Sequence, residues 1–182
     1  MATIEDPDAE LVARAGKGDS RAAEALIRRH LPMLMGLAQR MLGHAGEAED
    51  VVQESFLRLW KQAANWRPGG AKFSTWLYRV ALNQCYDRLR RKPIQGLDAA
   101  GDIQDSAPDP ESALVASGLS ARVTKAIAEL PVRQRAAIVL CHLEDCGNIE
   151  AAEILGISVE ALESLLARGR RALRERLKDL KA

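Results

Sequence analysis

A chain of 182 residues has room for one ordinary domain or two small ones, and 26 basic residues against 25 acidic leave a formal net charge of +1, so bulk charge singles out no partner. No apolar run approaches the ~20 residues that span a bilayer, and the acidic start MATIEDPDAE lacks a signal-peptide core, so a cytoplasmic protein without membrane insertion is expected. Three cysteines make no disulfide framework, and CHLEDC, holding Cys141, His142 and Cys146, has no second ligand pair for zinc. With Cys85 they are expected to be free thiols, and no metal or cofactor is expected. His30, His44 and His142 are scattered, and with no Gly-rich phosphate loop or nucleophile-base pair the chain does not read as an enzyme.

Helical signals begin at once. Asp6 is a candidate N-cap with Pro7 at the first helical position, followed by Leu11, Val12 and Ala15 up to Gly16. Asp19 is placed to cap a second helix, whose apolar stripe runs from Ala22 through Leu26, Leu34, Leu37 and Met41; Pro32 is expected to kink or divide it. A turn over Gly43 to Gly46 leads into a third. There Val52, Phe56, Leu59, Trp60 and Ala63 share one face, and Glu49, Asp50, Gln53 and Glu54, with Arg58 beside them, gather away from it. Such an acidic face repels DNA phosphates; it suits a basic protein surface, or a solvated face with acids near the helix N-terminus.

Trp66, Arg67, Pro68, Gly69 and Gly70 break that helix, and the period returns from Lys72 through Phe73, Trp76, Leu77, Val80, Ala81 and Leu89. All seven aromatic residues lie between Glu47 and Arg91, interleaved with Arg58, Lys61, Arg67, Lys72, Arg79, Arg88, Arg90 and Arg91. Rings and cations together suit unpaired nucleic acid, although any one ring at helical spacing is more often a packing residue. From Pro93 to Ser112 three prolines, two glycines and five acids occur without Lys or Arg, the composition of a linker. The expected architecture is therefore all-α, with two small helical domains at 1–92 and 113–182 joined by an acidic linker at 93–112.

In the second part, Leu114, Leu119, Val123, Ile127 and Leu130 suggest one helix and LPVRQRAAIVLCHLE another after Pro131. Asn148 is a candidate cap for a short helix, Gly156 supplies a turn, and Ser158 is placed to cap a long last helix reaching about Leu180. This is the helix-turn-helix pattern, over about 149–168. On the last helix Val159, Leu162, Leu166, Leu173 and Leu177 make the buried stripe, opposite Glu160, Ser164, Ala167, Arg168, Arg171 and Lys178. Seven basic residues and two acids follow Leu166, which suits phosphate tracking.

AEDVVQESFLRLW followed by FSTWLYRVALNQCYDRLRR resembles region 2 of the extracytoplasmic-function (ECF, group 4) sigma-70 factors, and the helix-turn-helix resembles their region 4. The resemblance implies a sigma initiation factor. Its acidic helix (Asp50, Gln53, Glu54, Arg58) would bind the β′ clamp helices of core RNA polymerase. Its loop and next helix (Arg67, Lys72, Trp76, Arg79, Asn83, Arg88, Arg90) would recognise and melt the −10 element, with Asn83 where the family keeps a strand-contacting asparagine. Its last helix (Ser158, Glu160, Ala161, Glu163, Ser164, Arg168, Arg171) would bind the −35 element, the domain docking on the β flap. It also implies an anti-sigma factor wedged between the domains, a stress or envelope response, and a linker threading the polymerase cleft; composition alone fits a passive tether equally. Where many members read T-V-K-S-R-L-H-R-A-R, this chain reads Ala161 to Arg170 as ALESLLARGR, so the usual −35 readout is not expected: Glu160 or Glu163 accepting from cytosine N4, or phosphates and shape, would replace it. Two other readings remain at this point, a sigma mimic that sequesters an anti-sigma factor and a one-component repressor using the helix-turn-helix.

Overall fold

Apolar spacing near 3.6 residues dictates helices throughout, and the described residues of the computed structural model, 6–67, 71–91 and 120–178, contain helices and no strand. The expected linker, 93–112, and Pro68 to Gly70 lie outside them, as do Leu114 and Leu119. In chain order the helices are α1 (Ala9–Ala15), α2 (Ser20–Leu42), α3 (Ala45–Ala63), α4 (Phe73–Arg91), α5 (helical over 120–128), α6 (Val132–Ile138), α7 (Asn148–Leu155) and α8 (Val159–Arg176). A π-helical turn, Val139–Leu143, extends α6.

Local chemistry sets most ends. Asp19 Oδ1 accepts from the Arg21 and Ala22 amides at 3.0 and 3.2 Å, starting α2, and Gly43 ends it in the left-handed region at φ 72°. Four ends differ from expectation. Asp8, not Asp6, stands at the N-cap of α1, yet it makes no side-chain cap bond, and Asp6 Oδ1 accepts from the Asp8 amide at 3.0 Å. α2 runs through Pro32 as one element: the proline sits on the exposed side, while Leu26, Leu34, Leu37 and Met41 fix the other side in the core. The turn before α3 is shorter, since His44 is its N-cap and Gly46 is already helical; likewise Gly147, not Asn148, precedes α7. α8 ends at Arg176, with Leu177 at its C-cap.

α2, α3 and α4 pack around Leu34, Leu37, Met41, Val51, Leu59, Phe73 and Leu77, with α1 laid across α2 and α3. In the C-terminal part α6, α7 and α8 enclose Ala136, Leu140, Ala151, Leu162 and Leu166. Gly169 lets α8 approach closely: a Cβ there would meet Ile138 Cγ1 at 2.9 Å. The two parts then pack on one another. Arg135 buries its guanidinium and donates to the Met41 carbonyl at 2.6 Å, answering a free acceptor at the end of α2, and to the Leu130 carbonyl at 3.4 Å. Arg40 pairs with Glu144 across the two parts.

Candidate nucleic-acid interface

The period of α4 places Lys72, Trp76, Arg79, Asn83 and Arg90 at intervals of four, three, four and seven, which is one stripe of a helix. Arg79, Asn83 and Arg90 are exposed, and Lys72 and Trp76 half-buried. Arg88 lies nearly half a turn away and is half-buried, so the fold does not bring it onto that stripe. Arg67 is exposed at the far side of the loop. An amide flanked by cations and a ring offers hydrogen bonding, phosphate attraction and stacking along one line. Arg90 also pairs with Asp87, and that exposed pair costs little to break.

The rings divide. Phe56, Phe73 and Tyr78 are core residues, so for these three the packing reading holds. Trp66, Phe73 and Trp76 form one cluster, with centroids 5.5 Å apart for Trp66 and Phe73, 5.7 Å for Trp66 and Trp76, and 5.9 Å for Phe73 and Trp76. Buried Phe73 is thus the base on which the two half-buried tryptophans rest.

On α3 the apolar face turns inward and Glu49, Asp50 and Gln53 are exposed outward. Arg58 Nε donates to Glu54 at 3.2 Å, one turn away. Sequence reading missed Leu57, which is 48% exposed on the same face as Gln53 and Glu54. A large apolar side chain ringed by polar groups is the composition of an interface centre, and its exposure is a signal that periodicity alone does not give.

The helix-turn-helix is formed by α7, the Gly156 turn at φ 65°, and α8, whose N-cap Ser158 accepts from the Ala161 amide at 3.2 Å. Glu160, Ala161, Glu163, Ser164, Arg168 and Arg171 are all exposed on α8. The helix-start amide and the Ser158 hydroxyl hold the Glu160 carboxyl below its usual range, so this face begins with a fixed negative charge and continues into arginines. Arg79 Nε donates at 2.9 Å to the Glu153 carbonyl, so α7 covers the middle of the α4 stripe while Asn83 stays open. Burial pushes the Cys85 and Cys146 thiols up to about 12 and raises Cys141, which keeps them protonated and weakly nucleophilic at neutral pH.

The arrangement has counterparts. Sigma-70 region 2 matches residues 26–93 and Sigma-70 region 4 matches residues 120–173. The ECF RNA polymerase sigma factor SigW of Bacillus subtilis is 36% identical over 90% of this chain and 93% of its own length. The chain belongs to the ECF sigma-70 family. The RNA polymerase sigma-H factor of Pseudomonas aeruginosa is 31% identical to this ECF sigma factor, over 97% of this chain and 96% of its own. Among solved structures, CnrH in complex with the cytosolic domain of CnrY superposes with a TM-score of 0.72 at 29% identity, covering 96% of this chain and 99% of CnrH. The sigma factor RpoE of Bartonella quintana, solved with the anti-sigma factor NepR, shares the fold with a TM-score of 0.66 at 24% identity, over 85% and 96% of the two chains. In this sigma factor the region 2 match spans most of α2 with α3 and α4, and the region 4 match spans α5 to α8; α1 precedes both.

Proposed function

We propose that this chain is a group 4 sigma initiation factor with a region 2 domain at 1–92, an acidic linker at 93–112 and a region 4 domain at 113–182. It binds core RNA polymerase in the cytoplasm through the outward face of α3, using Asp50, Gln53, Glu54 and Arg58 on the β′ clamp helices around Leu57, and through the region 4 domain on the β flap. The observation that carries the DNA reading is the single stripe of Lys72, Trp76, Arg79, Asn83 and Arg90 on α4, exposed at Arg79, Asn83 and Arg90 and half-buried at Lys72 and Trp76. That line takes the unpaired −10 strand, with Arg67 at its approach and Arg88 in a lesser role. Region 4 holds the −35 duplex by the exposed residues of α8, its arginines on phosphates and Glu160 and Glu163 at base edges.

The closed packing of the two parts supports control by a partner. A molecule of this length folds to a radius of gyration of roughly 16 Å, while the −10 and −35 centres lie about 85 Å apart along B-DNA at 3.4 Å per base pair. The two parts therefore separate before both elements are held, and an anti-sigma factor that favours the closed form competes with polymerase. CnrH bound to CnrY gives this a solved parallel at the level of fold. In vitro transcription with purified core polymerase tests the reading: promoter-specific transcripts appear only when this chain is added, and sequence-specific duplex binding by the free chain with no effect on transcription would overturn it.

A further inference from the structure

α1 and its flanking residues touch both ends of the segment that joins α3 to α4. At the α4 end, the Phe73 amide donates to Asp6 Oδ2 at 2.8 Å, while Asp6 Oδ1 accepts from the Asp8 amide at 3.0 Å. Lys72 holds the N-cap position of α4, since its carbonyl accepts from the Trp76 amide at 3.1 Å, and lysine has no side-chain acceptor to offer the free amides. The missing acceptor comes from Asp6, 67 residues earlier in the chain. At the α3 end, a Cβ on Gly16 would meet the Ala63 carbonyl oxygen at 2.5 Å and Ala64 Cα at 2.9 Å, so α1 finishes directly against the last turn of α3.

Between these ends the segment is anchored to α2. Asp8 is buried, accepts from His30 Nε2 at 2.8 Å and pairs with Arg29. The His30 ring meets the Phe73 ring edge-on at 5.5 Å, and Phe73 carries Trp66 and Trp76. Phe73 is therefore held twice from the N-terminal part, by its amide through Asp6 and by its ring through His30.

We propose that Asp6 to Gly16 is a positioning bracket, which fixes the start of α4 relative to the end of α3 and thereby sets where Trp66, Lys72 and Trp76 stand for the −10 strand. This rests on the reading of α4 given above. Asp6 is the positioning residue at the α4 end, and it touches no DNA itself. A cap that only added stability would lower the folded population; a bracket changes promoter opening in molecules that are folded and bound to polymerase.

The test compares Asp6→Ala, Asp6→Asn and Asn83→Ala holoenzymes in closed-complex formation and in permanganate reactivity of −10 thymines, alongside amide exchange of the free variants. Asp6→Ala is expected to exchange its Phe73 amide about fivefold faster, the effect of a lost cap, and to open the promoter more slowly by a similar factor while core binding and closed complexes persist. Asp6→Asn keeps one acceptor oxygen and falls between. Wild-type exchange at Phe73 in Asp6→Ala would overturn the bracket. So would faster exchange with wild-type opening, provided Asn83→Ala opens slowly. If Asn83→Ala also opens normally, the −10 reading of α4 fails and the bracket with it. Should the alanine variant lose its helical circular dichroism, Asp6→Asn decides by the same criteria.

Discussion

Asn83 is an exposed amide on the α4 stripe, outside the hydrophobic core, so its substitution separates DNA work from folding. Asn83→Ala is expected to leave closed-complex formation largely intact and to slow opening, as is Trp76→Ala, whose ring is worth ~1 to 3 kcal/mol if a base stacks on it; normal opening by both in bound holoenzyme would sink the melting role. Asp8 makes a second prediction. Burial alone would push its carboxyl up, but the hydrogen bond and charge of His30, with those of Arg29, outweigh burial and hold it below the usual carboxylate range. A depressed folded value means that this contribution is complete above the unfolded value of about 4 and is lost as pH falls through the folded value. Urea unfolding at falling pH is expected to show a loss of stability that Asp8→Asn flattens; identical pH profiles for the two proteins would refute the assignment. Gly169→Ala is expected to cost ~1 to 3 kcal/mol by overpacking against Ile138. Residues like these mark the limit of sequence reading. Asp6 and Asp19 look alike as caps, yet Asp19 serves its own helix start while Asp6 gives one oxygen to the Asp8 amide beside it and the other to the Phe73 amide 67 residues away, because a carboxylate goes to whichever free amides packing brings to it.

At the scale of elements the helices were largely legible, since caps and apolar period act locally: α2, α3, α4 and α8 lie close to where Asp19, the Val52 stripe, Phe73 and Ser158 put them. What was not legible depends on neighbours. The proline in α2 is overruled by the buried stripe, and whether a ring such as Phe73 or Trp76 faces the core or solvent is decided by the helices packed on it. The outward face of α3 is expected to be the polymerase contact: charge reversal at Asp50 or Glu54, or Leu57→Ala, weakens co-purification with core enzyme while circular dichroism stays helical. Loss of a charge-assisted partner there typically costs ~2 to 5 kcal/mol, and undiminished binding by all three variants would refute the face. For α8, replacing Arg168 and Arg171 is expected to weaken initial promoter binding and to reduce the slope of log K against log salt by about 2, near one per phosphate contact. An unchanged slope would move the phosphate track elsewhere.

For the whole molecule, the closed packing was outside the reach of composition, which shows an acidic Pro-rich stretch but not that the parts on either side of it touch. Arg135, which no motif or period singles out, is a buried tie from α6 to the end of α2. Glu144 sets the sign of its pH response: burial raises its carboxyl, and the pairing with Arg40 only partly offsets that. A raised folded value gives a contribution that is full below the unfolded value of about 4.3 and lost as pH rises through the folded value, so the closed form is expected to be tighter below that unfolded value than at neutral pH, with Glu144→Gln removing the difference. Small-angle scattering reads this as the radius of gyration, and a radius that contracts with rising pH would contradict it. Opening of this kind exposes Arg79, now spent on the Glu153 carbonyl, so DNA work belongs to the polymerase-bound chain. Whether α4 holds an unpaired −10 strand is read by permanganate reactivity of promoter thymines in complexes of core polymerase with this chain. Reactive −10 thymines are expected with the wild-type chain, none with core polymerase alone, and reduced reactivity with Asn83→Ala at equal occupancy; unreactive thymines in a stably bound wild-type complex, or undiminished reactivity with Asn83→Ala, would rule the strand-holding role out.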